Sequence, residues 1–136
     1  MAYGDYKAAM KLTLVDKLPF TSAILIYNLQ QIEVPHVLVD TGSASTVFSS
    51  DWGQQIGIAP EKSDTIRTLW GVGGSEVVFT RRLDSLRVGQ ITLAGFEVEF
   101  GGMEYGFQIH GILGMDFLLE ARAILNLSNL TVDFAG

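Results

Sequence analysis

The sequence predicts a mostly-β domain, a small barrel or sandwich carrying two short helices. Three observations predict it. Most segments alternate or run apolar over strand-like lengths and are rich in Val, Ile, Thr and Phe. Glycine-rich turns punctuate them at Gly71-Val72-Gly73-Gly74, Val88-Gly89-Gln90 and Gly101-Gly102. Two stretches have a helical look, and both are short. With 136 residues the chain is long enough for one domain with a real core.

The elements follow in order. Strands are expected near 6–15, 21–29 and 33–39. A first helix follows, where Ser49-Ser50-Asp51 offers N-cap oxygens, Trp52 and Ile56 recur at i, i+4, and Gly57 can close the turn. Strands resume near 64–70, 75–88 and 91–100. A second helix over 115–121 would turn Phe117, Leu118 and Ala121 toward a core. The chain then reads as a β-hairpin, 122–127 and 130–134, turning at Ser128-Asn129. A terminal apolar hairpin is a natural edge for pairing with a second chain. Pairing within the chain fits the sequence equally.

Composition excludes several function classes. Nine basic against fifteen acidic residues give a net charge of -6, which argues against a nucleic-acid surface. Charged residues make up 18% of the chain and hydrophobic ones 48%. The charged share lies below the roughly one quarter usual for a soluble domain, leaving apolar surface for a partner to cover. There is no cysteine, which removes disulfides, thiol chemistry and Cys-based zinc sites while leaving the compartment open. His36 and His110 are too few and too isolated to suggest a metal, and each reads as a strand or loop residue. The apolar runs are too short to span a bilayer. No basic region followed by an apolar stretch opens the chain, so no signal peptide is expected, although a longer, membrane-anchored parent protein stays open. Two Asn-x-Ser/Thr sequons, at Asn126 and Asn129, fall in the expected terminal hairpin and read as chance.

The chemistry centres on Val37-Leu38-Val39-Asp40-Thr41-Gly42-Ser43. Asp-x-Gly is ordinary turn chemistry, and an exposed turn aspartate is the bland reading. The wholly apolar approach favours another: a strand that holds a carboxylate in a low-dielectric place. Gly42 lets another backbone or a substrate come close. Thr41, Ser43, Ser45 and Thr46 supply hydrogen-bonding groups, and Val47-Phe48 return to the core. A buried carboxylate is costly unless paired, hydrogen-bonded or protonated, so the site asks for a second group.

These residues carry a resemblance. Asp40-Thr41-Gly42-Ser43 after Val37-Leu38-Val39 resembles the active-site loop of the retropepsin-like aspartic proteases. Ile112-Leu113-Gly114, ahead of a short helix, resembles the second signature of that family. Trp70-Gly71-Val72-Gly73-Gly74 resembles the tip of its flap hairpin. The resemblance covers about residues 20–134. It implies a single retropepsin-like domain over 1–136, a small closed barrel whose core is 20–134 and whose residues 1–19 form an extension or edge strand. Asp-Thr-Gly alone is a weak signal; the ordered set is fairly specific.

An aspartic protease needs two carboxylates sharing one proton, because like charges so close cannot both ionise. This chain has one Asp-Thr-Gly. Asp116 and Asp133 lack the flanking turn. The second carboxylate is therefore expected to be Asp40 of a second copy, on the axis of a C2 homodimer. The resemblance implies the same arrangement, with Thr41 of each chain bonded across the axis. It implies catalytic roles for Asp40, Thr41 and Gly42, and substrate contacts for Ser43, Ala44 and the flap residues Trp70, Gly71, Val72, Gly73 and Gly74. Trp70 reads as well as a packed aromatic. Ile112, Leu113 and Gly114 are expected to support the Asp40 loop, with Gly114 permitting a crowded crossing beneath it. No cofactor or metal is implied. One departure stands out: the acidic residues that several retroviral enzymes carry two and three positions past the motif glycine are here Ala44 and Ser45.

The sequence thus points to an aspartic endopeptidase acting on a peptide or protein substrate. The alternative is a catalytically silent dimerisation or peptide-binding module of the same fold.

Overall fold

A computed structural model describes residues 9–71, 74–102 and 108–136. The described residues begin with two short strands, β1 (Met10–Lys11) and β2 (Thr13–Val15). Two long ones follow, β3 (Leu18–Tyr27) and β4 (Gln30–Val39). Each tight turn here has two residues at positive φ: Asp16 and Lys17 (51° and 66°), then Asn28 and Leu29 (49° and 67°). Paired positive φ values give a turn whose twist matches that of the flanking strands.

β4 carries one more residue than β3 between the pairs Thr21↔Val37 and Ala23↔Val34, and His36 sits at that bulge with φ 54°. Beyond the bulge, Val37, Leu38 and Val39 are all buried. Val37 and Val39 join the main core, while Leu38 enters a second cluster with Phe20 and Ile109. Both faces of the strand are thus covered, which is why this run does not alternate with polar residues.

The remaining elements are β5 (Val47–Ser49), α1 (Ser50–Gln54), β6 (Ile66–Gly71), β7 (Gly74–Arg82), β8 (Ser85–Val88), β9 (Ile91–Ala94) and β10 (Glu97–Gly101). Then come β11 (Gly111–Leu113), α2 (Met115–Glu120), β12 (Ala123–Asn126) and β13 (Thr131–Phe134). The large sheet runs β6-β7-β10-β5-β11-β4-β3-β8-β9, with β2 also on β3; a second sheet is β1-β13-β12. The β10–β5 and β11–β4 pairs are parallel. Buried Leu12 lies between β1 and β2, so the N-terminal segment ties the two sheets together.

The mostly-β fold with two short helices is as expected; one detail differs. Among the described residues the large sheet is not closed by hydrogen bonds, because β6 and β9 are each the outer strand of a hairpin whose inner strand alone joins the sheet. Other differences are local. The strands expected at 75–88 and 91–100 are each split, because Leu83 N–H donates to Phe96 O (2.9 Å) and Gly95 N–H to Asp84 O (2.9 Å), turning the chain at both places. β5 and β11 were not expected, since three residues are too few to show a period. Ser49 is the N-cap of α1, but its hydroxyl makes no capping bond. α2 ends at Glu120 with Phe117, Leu118 and Ala121 buried. Residues 6–8 of the first expected strand lie outside the described residues.

The core centres on Phe48, Phe100 and Phe117, each fully buried, with Phe79 stacked on Phe100 at 5.6 Å between ring centroids. Each such side chain contributes about 1.5–3 kcal/mol by leaving water. The core lies directly below the end of β4. No helix among the described residues is long and apolar enough to cross a membrane.

Candidate active site

Asp40 is the first residue beyond β4, and its position follows from the strand pairing. The parallel β4–β11 ladder continues one step further, with Asp40 N–H donating to Leu113 O at 3.0 Å. The chain then turns. Gly42 N–H donates to Asp40 Oδ1 at 2.9 Å and Ser43 N–H to Asp40 O at 3.2 Å, an aspartate-initiated turn. A Cβ on Gly42 would lie 3.1 Å from Asp40 Oδ1, so glycine keeps the carboxylate uncrowded. The Asp40 side chain is half-buried, while Thr41 and Gly42 are exposed. The carboxylate therefore sits at a surface, on a rigid foundation.

That foundation is the crossing of β11 and α2 under the loop. Gly114 presses against the loop so closely that a Cβ there would fall 2.3 Å from Ser45 O and 2.9 Å from Ser43 O. Its dihedrals (φ -92°, ψ -174°) suit any residue, so the demand for glycine is spatial. Met115 N–H donates to Ser43 O (2.7 Å) and Asp116 N–H to Ala44 O (3.3 Å). Leu113 is fully buried, and half-buried Ile112 packs on the Phe20–Leu38–Ile109 cluster.

Thr46 and Asp116 complete the brace, and sequence reasoning passed over their pairing. Thr46 is fully buried. Its hydroxyl donates to Asp116 Oδ1 (2.7 Å) and accepts from Gly114 N–H (3.1 Å), while its own N–H donates to Asp116 Oδ2 (3.2 Å). Asp116 also accepts from Phe117 N–H at 2.7 Å. An aspartate in the first turn of a helix is the only sequence signal for this role.

The glycine-rich segment forms the β6–β7 hairpin, paired from Ile66↔Phe79 to Gly71↔Gly74. Val72 and Gly73 lie outside the described residues, as does the side chain of Trp70, so the contacts expected of them are not described. The root of the hairpin holds two ion pairs that the sequence did not reveal. On β6, Arg67 bonds both oxygens of Glu99 and also Ser45 Oγ. Burial pushes the Glu99 carboxyl up, but the bonds from Arg67 and Ser45 and the charge of Arg67 outweigh this and hold it below its ordinary range. On β7, buried Arg81 bonds Asp64 (2.7 and 3.1 Å), Ala59 O (2.8 Å) and Tyr27 OH (3.1 Å). Its bond to Asp64 holds that carboxyl low against the opposing effect of burial.

The two histidines, remote in sequence, meet with ring centroids 5.7 Å apart, and Trp52 lies 5.1 Å from His110. His110 Nδ1 lies 3.0 Å from Pro35 O. Among the described residues, no group of three or more His, Cys, Asp or Glu could hold a metal ion.

Each chain thus presents one carboxylate of Asp-Thr-Gly type. One carboxylate cannot serve as general base and general acid in the same step, so chemistry at this site calls for a second.

The comparisons with known proteins agree with this geometry. Residues 27–117 match the family described as aspartyl protease. The structure is similar to the crystal structure of a retropepsin-like aspartic protease from Rickettsia conorii, with 18% sequence identity and a TM-score of 0.68. The match covers 94% of this chain and 100% of that one, and it shows the fold. No curated protein matches the sequence.

Proposed function

The chain belongs to the aspartyl protease family, and from that premise we propose that it is an aspartic endopeptidase acting as a homodimer. The observation that carries the proposal is the setting of Asp40: a half-exposed carboxylate at the end of a strand covered on both faces, locked from below by Gly114 and Thr46.

Two Asp40 carboxylates, one from each copy, share a proton across the twofold axis. The ionised one takes a proton from a water, which attacks the peptide carbonyl. The protonated one donates to the carbonyl oxygen. Thr41, exposed in the protomer, bonds across the axis to its counterpart and locks the two loops. Ser43 and Ala44 line the floor under an extended peptide. The β6–β7 hairpin, with Trp70, Gly71, Val72, Gly73 and Gly74 at its tip, closes over that peptide and excludes water. Apolar substrate side chains are expected on either side of the scissile bond. For the dimer contact, exposed Leu119 on α2 and Ile124 and Leu127 of the terminal hairpin offer apolar surface.

The test is cleavage of a mixed peptide library between acidic and neutral pH by the wild type and by Asp40→Asn, with the oligomeric state measured in parallel. Asn can keep the bond from Gly42 N–H, so the variant is expected to fold and to lose cleavage by at least about a thousandfold. Cleavage surviving in Asp40→Asn would overturn the assignment. A dimer that cleaves nothing would leave a binding module of the same fold.

A further inference from the structure

Arg67 occupies an odd place in the sheet. It lies on β6, whose ladder partner is β7, and β7 in turn pairs with β10. The Arg67 side chain nevertheless reaches past β7 to Glu99 on β10, where Nε and Nη2 donate to the two carboxylate oxygens. Nη2 also donates to Ser45 Oγ at 2.9 Å. The Glu99 side chain is 8% exposed and that of Arg67 49%. A fork on a buried carboxylate is a rigid contact, which lysine would not reproduce.

The anchor is itself fixed to the Asp40 loop, since Glu99 N–H donates to Thr46 O at 3.0 Å. Ser45, the other arm, leads back to the carboxylate. Ser45 O accepts from Ser43 Oγ (2.8 Å), and Ser43 N–H donates to Asp40 O. Arg67 therefore joins the hairpin to the Asp40 loop, although no strand pairing connects β6 to that loop.

We propose that Arg67 is a positioning residue for the reaction at Asp40: by gripping Glu99 and Ser45 together, it sets the resting place of the β6–β7 hairpin relative to the Asp40 loop. The inference rests on reading that loop and hairpin as the active site and its cover. Without the grip, the hairpin position described above is a smaller fraction of the resting ensemble, and apparent substrate affinity falls by that fraction.

Three variants test it. Ser45→Ala removes the arm to the loop together with the Ser45 bond to Glu99. Arg67→Lys keeps the charge and loses the fork. Arg67→Met with Glu99→Leu removes both charges, so that no buried carboxylate is stranded and the fold survives. Amide hydrogen exchange and steady-state kinetics are read on each. The expected result is about tenfold faster exchange in residues 41–46 as well as in β6, and a roughly tenfold loss of kcat/KM lying mainly in KM. Adding Ser45→Ala to the double variant should change little further, because the arm is already gone. A purely structural ion pair would speed exchange in the hairpin alone and leave KM per folded site unchanged, which would overturn the proposal. Exchange does not depend on catalysis. Wild-type protein that cleaves nothing would overturn the protease reading and the positioning role with it; cleavage with an unaltered loop would overturn the positioning role alone.

Discussion

The Asp40 loop and the β6–β7 hairpin face the same task with opposite construction. The loop exposes Thr41 and Gly42, yet it is bonded from below by Leu113, Met115, Asp116 and Thr46, much of it through backbone groups. The hairpin exposes Ile66 and Val77 (60% and 64%) and is tied to the rest through the β7–β10 ladder and two arginine forks. Precision is built where the carboxylate stands, through contacts that a substitution breaks outright. The hairpin is held instead through side-chain ion pairs, contacts that a substitution can tune.

If this contrast is right, the largest single effect lies under the loop. Gly114→Ala puts a methyl group 2.3 Å from Ser45 O and 2.6 Å from Ser45 C, both backbone atoms that cannot swing away. The loop or β11 must move, at a cost of about 3 kcal/mol or more. We expect a fall in Tm of roughly 10 °C by calorimetry, and loss of cleavage even in the fraction that remains folded. A folded, active Gly114→Ala would break the comparison, since the crossing would then be loose. Thr46→Val comes next. It keeps the shape but strands the Gly114 N–H and one bond of Asp116, costing about 2–3 kcal/mol by denaturant unfolding. Thr46→Ser restores the hydroxyl and should recover most of that loss.

The same contrast marks what could be read from the sequence. Asp40 was legible because it ends an apolar run, and Gly114 because it follows Ile112-Leu113 and precedes a helical stretch. Both signals are local. The terminal hairpin and α2 were legible for the same reason, through a turn and a helical face. What escaped was pairing across long separations. Arg67 and Glu99 are 32 positions apart, and Thr46 and Asp116 are 70 apart. Asp116 was dismissed as a second catalytic carboxylate for lack of a turn, yet nothing local announced it as the partner of Thr46. His36 and His110 were read as unpartnered, and only the β4–β11 pairing brings them together. An isolated charged residue has no periodicity to betray its partner.

The hairpin's forks make a weaker prediction with a defined sign. The Asp64 and Glu99 carboxyls are held below their ordinary values of 3.8 and 4.5, against burial, by the bonds of Arg81 and Arg67. A depressed carboxyl stabilises the fold above its unfolded-state value, and that contribution disappears as pH falls toward the folded one. Tm should therefore decline as pH drops below about 4.5, and further below about 4. Asp64→Asn is expected to lower Tm at pH 7 and to flatten the decline between pH 5 and 3, because one of the two groups no longer titrates. An unchanged slope would mean that the Arg81 clasp does not couple to folding.

The smallest expected effect comes from the same strand that supplies the hairpin's anchor. Glu97 and Glu99 lie two residues apart on β10, and each faces an arginine. The Glu97–Arg82 pair is exposed on both sides (56% and 68%) at 3.4 Å, and Arg82 has a second acceptor in Gly95 O at 2.7 Å. Solvent screens such a pair, so Glu97→Gln should alter stability by under about 0.5 kcal/mol and leave kcat/KM unchanged. Glu99→Gln, with the same chemical change made in a buried fork, should cost several times as much and disturb KM. Equal effects at the two sites would mean that Arg67 grips Glu99 no more firmly than Arg82 grips Glu97, and the hairpin would then be held by its backbone ladder and the Arg81 fork.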